Sequence, residues 1–177
     1  SELGKQEFAA MSSQHQSNTL FEQMETGKIN AEEMWTAFRQ ATHSQLTDEQ
    51  IKTAFNALLL DFPPERLVWL DKIREQYKVY LFSNTNSIHY EAFMKIFTQS
   101  TGQPDLNKYF IKAWYSHKLG LRKPYVESFQ KILEEEGLNP AETLFIDDTV
   151  KNIEGAQKAG MQTIHLAPPK TVLDLNL

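Results

Sequence analysis

Leu144-Phe145-Ile146-Asp147-Asp148 is the stretch of sequence that decides the fold of this chain. Its three apolar residues predict a buried strand, and two carboxylates follow where that strand should end. A helical pattern then begins at Val150 and closes at Ala159-Gly160. In an open parallel sheet, ligands bind at the carboxyl ends of the strands, where a turn meets a helix. The stretch therefore predicts a binding site at the end of this strand.

The two adjacent carboxylates of Asp147 and Asp148 indicate what that site could bind. They repel each other, so both ionise readily only when a cation lies beside them. Oxygen-only ligands in a crevice of phosphate size suit Mg²⁺. An alternative remains open, because aspartates after a strand also serve simply to cap the next helix.

The rest of the chain divides into a helical part and an alternating part. Residues 1–66 show helical patterns, such as those opened by Asn30 and Thr47, and no strand pattern. From residue 67 onward, apolar strands alternate with helices, which predicts an α/β fold with a doubly wound parallel sheet. We therefore predict two domains, a small α-helical bundle over residues 1–66 and a Rossmann-like core over residues 67–177.

Composition excludes several classes of protein. The chain has 177 residues, a formal net charge of -5 and no cysteine. Disulfides and thiolate metal sites are therefore excluded, and a nucleic-acid partner is not expected without a basic face. The sequence shows neither a signal peptide nor an apolar run of the roughly 20 residues that a membrane span needs, so we predict a cytoplasmic protein. The oligomeric state is left open.

Two further turns carry polar residues suited to an anion. Ser83 and Asn84 follow the strand Val79-Tyr80-Leu81-Phe82, and Lys123 stands just before Pro124, where a helical pattern begins. A hydroxyl and backbone N–H groups before a helix make an anion site, and a lysine there is easier to explain if an anion is present. The alternatives are a helix cap at Ser83 and a solvated surface lysine. Together with the two carboxylates, these groups could hold a phosphate and a divalent metal.

These motifs resemble those of the haloacid dehalogenase-like hydrolase superfamily. The resemblance rests on three stretches in the right order: Phe82-Ser83-Asn84-Thr85-Asn86, Gly120-Leu121-Arg122-Lys123-Pro124, and Phe145 to Gly160. They are similar to the second, third and fourth motifs of that superfamily, and the helices before them resemble its α-helical cap. The closest likeness is to bacterial phosphatases that act on sugar phosphates and similar small phosphorylated metabolites.

The resemblance implies a role for each site residue. Ser83 would bond the transferring phosphoryl group, with help from the backbone N–H of Asn84. Lys123 would neutralise charge on the phosphate and on the attacking carboxylate. Asp147 would bind Mg²⁺, and Asp148 would bind it directly or through water. Asn152, which stands where many relatives carry a further acid, would support the metal ligands from outside.

One motif of the superfamily is missing from this sequence. An apolar strand followed by Asp-x-Asp should supply the nucleophile and the general acid/base, and no such motif occurs here. We expect the nucleophile, which would form an aspartyl-phosphate, on a central strand upstream of Ser1. The chain as written should then hydrolyse nothing. Two alternatives remain, a metal-free 2-haloacid dehalogenase, which the second carboxylate argues against, and a non-catalytic binding module that retains the fold.

Overall fold

The computed structural model describes residues 15–177, with side chains from residue 19 onward. The described chain alternates helices and strands as the sequence predicts. Its α-helices are α1 (His15–Glu25), α2 (Ala31–Thr42), α3 (Asp48–Asn56), α4 (Pro64–Ile73), α5 (Ser87–Thr101), α6 (Ser116–Leu119), α7 (Val126–Glu135) and α8 (Val150–Lys158). Its strands are β1 (Tyr80–Ser83), β2 (Lys112–Tyr115), β3 (Leu144–Asp147) and β4 (Gln162–His165). Short 3₁₀ turns cover Leu106–Tyr109, Pro140–Glu142 and Val172–Asp174. No helix in this described part is long and apolar enough to cross a membrane.

Capping residues explain where the early helices begin. Asn30 accepts a hydrogen bond from the Glu33 backbone N–H at 3.0 Å, and the Glu33 carboxylate accepts one from the Asn30 N–H at 2.7 Å. Thr47 and Gln50 form the same reciprocal pair before α3. Each pair satisfies two donors that the first turn of a helix leaves without partners. The helix starts predicted at Asn30 and Thr47 are therefore confirmed.

The chain forms two compact units. The first takes in the described residues 15–62, together with Thr85–Leu106 and Tyr115–Gly120. Apolar residues of α1, α2, α3 and α5 pack together at its centre, because each of these helices has one apolar face. The buried members of this core are Met24, Met34, Trp35, Phe38, Ile51, Phe55 and Ile88.

The second unit holds Pro63–Asn84, Asn107–Trp114 and Leu121–Leu177. The described strands form two separate two-stranded sheets, β1 with β2 and β3 with β4. β3 and β4 are parallel, with Asp147 opposite His165 at their ends. The α/β class is confirmed, whereas a single sheet completed by a further central strand stays a prediction. The predicted division into a cap over residues 1–66 and a core over residues 67–177 also stays a prediction.

The loop around Lys123 differs in one respect from the prediction. The helix expected to begin at Pro124 begins at Val126, because Lys123 and Pro124 form a turn that precedes it. Gly155 of α8 packs directly against this turn, and a Cβ at that position would collide with the Pro124 carbonyl oxygen. The absence of a side chain at Gly155 therefore lets the helix and the turn approach closely.

Candidate active site

Lys123 lies at the centre of the candidate site. Its side chain is only 10% exposed, so it is not a solvated surface lysine. The ammonium group donates hydrogen bonds to the Phe82 carbonyl oxygen at 2.9 Å and to Asp147 Oδ2 at 2.8 Å. Phe82 belongs to β1 and Asp147 ends β3, so one cation contacts strands of both sheets.

Aromatic rings enclose this cation from both strands. The Lys123 ammonium lies 5.4 Å from the ring centroid of Phe82 and 5.5 Å from that of Phe145. Phe129 of α7 contacts the same two rings edge to face, at 5.6 Å from Phe82 and 5.1 Å from Phe145. These apolar surroundings exclude water from the lysine stem and strengthen its interaction with Asp147.

Asp147 is held by three donors. Lys123 bonds its Oδ2. Its Oδ1 accepts hydrogen bonds from the Thr149 N–H at 2.8 Å and from the Asn152 amide at 3.0 Å. Burial opposes ionisation, but the Lys123 ammonium, the Asn152 amide and the Thr149 N–H together hold the pKa of the Asp147 carboxyl below its usual value. Asp147 therefore carries a full negative charge at neutral pH.

Asp148 has a different environment although it adjoins Asp147. The residue is exposed, and its Oδ1 accepts a hydrogen bond from the Thr149 hydroxyl at 3.2 Å. The Nε2 of His165, at the end of β4, is 2.9 Å from the Asp148 carbonyl oxygen. The carboxylate is therefore left at the surface, where an incoming ion could reach it.

The alternative explanations from helix capping do not hold. The N-cap residue of α8 is Thr149, whose N–H bonds Asp147, and neither aspartate side chain accepts from a main-chain N–H group within Val150–Lys158. Ser83 is the last residue of β1, and the N-cap of α5 is Asn86, which accepts from the His89 N–H at 2.9 Å. Ser83 and the aspartates are thus available for another role, and the roles assigned to them stay predictions.

The structure brings five of the six predicted residues together, either by hydrogen bonds or because they are neighbours in the chain. Lys123 contacts Asp147, Asn152 contacts Asp147, and Asp148 adjoins Asp147 in the chain. The side-chain amide of Asn84 pairs with the main chain of Lys123. Ser83 follows Phe82, whose carbonyl oxygen accepts from Lys123. Within the described part of the chain, no hydrogen bond joins the Ser83 hydroxyl to the other five residues.

Sequence reasoning missed two residues whose side chains hold nearby main chain in place, one in each compact unit. Ser116 is fully buried, and its hydroxyl both accepts from the Thr85 N–H and donates to the Thr85 carbonyl oxygen, each at 2.9 Å. His165 bonds the carbonyl oxygen of Asp148. Both contacts join residues far apart in sequence, and neither residue stands in a pattern that would indicate its partner.

Three comparisons with known proteins agree with one another. A family model described as haloacid dehalogenase-like hydrolase matches residues 11–160. The D-ribitol-5-phosphate phosphatase of Bacteroides thetaiotaomicron is 32% identical over 144 residues, which are 81% of this chain and 69% of that protein. A family enzyme of known structure from the same organism superposes with a TM-score of 0.86 at 33% identity, over 97% of this chain and 84% of that one.

Two more solved structures extend the comparison. A mutant of that Bacteroides enzyme, in which alanine replaces an aspartate, was solved with magnesium and inorganic phosphate and matches with the same TM-score of 0.86. A predicted hydrolase of the same kind from Porphyromonas gingivalis has a TM-score of 0.77 at 28% identity, over 92% of this chain and 82% of that one.

Proposed function

Because the chain belongs to the haloacid dehalogenase-like hydrolases, we propose that it is the larger part of a Mg²⁺-dependent phosphomonoester hydrolase acting on small phosphorylated metabolites such as sugar phosphates. The family and the hydrolase class predicted from the motifs are confirmed by these comparisons. The similarity to a phosphatase of D-ribitol 5-phosphate supports phosphorylated sugars and polyols as the substrate class.

The observation that carries the proposal is the buried pair of Lys123 and Asp147, in which the lysine also bonds Phe82 of β1. An ammonium group has three donors, and among the described residues two are used, by the Phe82 carbonyl and by Asp147. The third can bond a phosphoryl oxygen while the charge stays balanced by Asp147. Positioned positive charge of this kind stabilises the negative charge on the phosphoryl oxygens during phosphoryl transfer.

The carboxylates of Asp147 and Asp148 fit a Mg²⁺ ion. Three contacts to Asp147 use three of the roughly four acceptor positions that a carboxylate offers, which leaves one on Oδ2 for a cation. Within the described part of the chain, no three His, Asp or Glu side chains cluster as a metal site. Mg²⁺ commonly takes one or two carboxylates and completes its shell with water and phosphate oxygens. Bound there, it would offset the negative charge of the phosphoryl group.

The nucleophile belongs to the proposal as well. We place an aspartate upstream of Ser1, on a strand between β1 and β3, where it would attack phosphorus as the P–O ester bond breaks. The second aspartate of the Asp-x-Asp motif would give the departing oxygen its proton, so that the alcohol of the substrate is released. Water would then hydrolyse the resulting aspartyl-phosphate. The contacts of Lys123 and Phe129 with both strands support this position, because a group between the strands would lie beside the ammonium. Ser83 and the N–H of Asn84 would bond the phosphoryl oxygens from the end of β1.

Phosphate release from a panel of sugar and polyol phosphates tests the proposal. The protein extended by its upstream Asp-x-Asp segment should release phosphate in the presence of Mg²⁺, and the 177-residue chain should release none. Turnover by the 177-residue chain would mean that another residue is the nucleophile. An extended protein that binds these phosphates without hydrolysing them would instead support a binding module. A cytoplasmic location remains a prediction.

A further inference from the structure

The side chain of Asn84 pairs with the main chain of the central lysine. Its amide nitrogen donates to the Lys123 carbonyl oxygen at 2.9 Å, and its Oδ1 accepts from the Lys123 N–H at 2.9 Å. We propose that Asn84 is a positioning residue, whose side chain holds the Lys123 main chain so that the ammonium reaches both Phe82 and Asp147. This inference rests on the proposed function for its catalytic consequence, although not for the contact itself.

Only an asparagine matches this pair of bonds. A primary amide presents one acceptor and one donor side by side, which are the groups that complement the N–H and C=O of a single residue. Aspartate keeps the acceptor but lacks the donor, and glutamine is one methylene longer. Asn84 and Lys123 are 39 residues apart in the chain, so the two bonds fix a distant loop against the end of β1.

The consequence for catalysis follows from the flexibility of lysine. A lysine side chain has four methylene groups with rotatable bonds, so it loses rotamer freedom when it is fixed. In this site Asn84 holds the main chain, while Phe82 and Asp147 hold the ammonium. Displacing a charged group by about 1 Å costs up to about a hundredfold in rate, so the main-chain anchor should affect kcat more than KM.

Asn84→Ala, Asn84→Asp and the control Asn86→Ala test the inference in the extended protein. Asn86 is a neighbouring buried asparagine that caps α5 and does not contact Lys123. Replacing it should therefore destabilise the fold in general without removing a bond to the lysine. In Asn84→Ala, the main-chain N–H of Lys123 should lose about five- to tenfold of its protection against hydrogen exchange, after correction for any change in global stability. Asn84→Asp retains the acceptor and should keep that protection, and Asn86→Ala should leave it unchanged after the same correction.

Kinetics and a direct bond measurement complete the test. Asn84→Ala should lower kcat at least tenfold with KM within about twofold, whereas Asn86→Ala should keep both. If Asn84→Ala does not fold, scalar coupling across the hydrogen bond from the Lys123 N–H to the Asn84 side chain still tests the contact in the wild type. Unchanged Lys123 protection in Asn84→Ala, an equal loss in Asn86→Ala, or no coupling would overturn the inference. A protein with the coupling but no phosphatase activity would overturn the proposed function and leave the contact standing.

Discussion

The carboxyl ends of β1 and β3 hold the same lysine in different ways. The end of β1 and the residue after it use neutral groups, namely the Phe82 carbonyl oxygen and the Asn84 amide. The end of β3 uses the charge of Asp147, which two further donors stabilise. Neutral bonds fix the position of Lys123, and the carboxylate balances its charge. The two strand ends should therefore respond differently to substitution.

Lys123→Met should have the largest effect, because it removes the partner of a carboxylate whose side chain is 8% exposed. An uncompensated buried charge costs about 3 kcal/mol, so the free energy of unfolding should fall by about that amount in urea titration. Phosphatase activity of the extended protein should disappear as well. Lys131→Met breaks an exposed i,i+4 pair with Glu135 and should leave both measurements unchanged. Equal losses in the two variants would mean that burial does not distinguish these pairs.

Gly155→Ala tests the support of the turn that carries Lys123. The added Cβ would meet the Pro124 carbonyl oxygen, so the helix or the turn must shift. Overpacking of this kind costs about 2 kcal/mol, which thermal unfolding would detect. Glu154→Ala, at the exposed neighbouring position of α8, should change the melting temperature little. A Gly155→Ala protein as stable as the wild type would show that the close approach is not required.

Asn152→Ala sharpens the comparison on the side of β3. It removes one of the three donors to Asp147 and should lower the free energy of unfolding by about 1 kcal/mol. Mg²⁺ affinity, measured by calorimetry in the extended protein, should fall because the orientation of Asp147 is less restricted. Asn139→Ala, which removes a cap at the Pro140–Glu142 turn, is the matched control and should leave Mg²⁺ affinity intact. Weakened Mg²⁺ binding in the control alone would contradict the role given to Asn152.

His89, in the first unit, should give the smallest effect and one that depends on pH. Its ring stacks on Phe55 with centroids 4.0 Å apart, and its Nε2 lies 3.2 Å from the Phe55 carbonyl oxygen. Burial lowers the pKa of His89, although that hydrogen bond partly opposes the change. A lowered pKa in the folded state means that stability is complete above about pH 6.5 and declines as the pH falls below it.

Urea titrations between pH 5.5 and pH 8 measure this decline. His89→Phe removes the titrating group and should show a shallower loss of stability on the acid side than the wild type. Identical slopes in the two proteins would show that the environment of His89 does not disfavour its charged form.

Local features of the fold could be predicted from the sequence, because their causes are local. The capping pairs of Asn30 with Glu33 and of Thr47 with Gln50 span three residues each. The strand before Asp147 also followed from a short apolar run. The start of α7 was placed two residues early, because proline is compatible both with a first helical turn and with the turn that precedes it.

The contacts that assemble the site could not be predicted in the same way. Motif order indicated that Ser83, Lys123 and Asp147 belong together, but not which atoms meet. The bonds from Asn84 to Lys123 and from Ser116 to Thr85 join residues 39 and 31 positions apart. Many side chains have the donors and acceptors for such bonds, and only the packing of the whole chain selects the partner.

Phosphate release as a function of Mg²⁺ concentration, by the extended protein and its Asp147→Asn variant, tests the central claim most directly. The wild type should be inactive in excess chelator and regain activity on addition of Mg²⁺. Asp147→Asn should stay inactive at every Mg²⁺ concentration, because it loses the charge that balances Lys123 and that we propose as the metal ligand. Asp174→Asn, far along the chain in a capping pair with Thr171, should behave like the wild type. Undiminished activity of Asp147→Asn, or full activity of the wild type in chelator, would contradict the account.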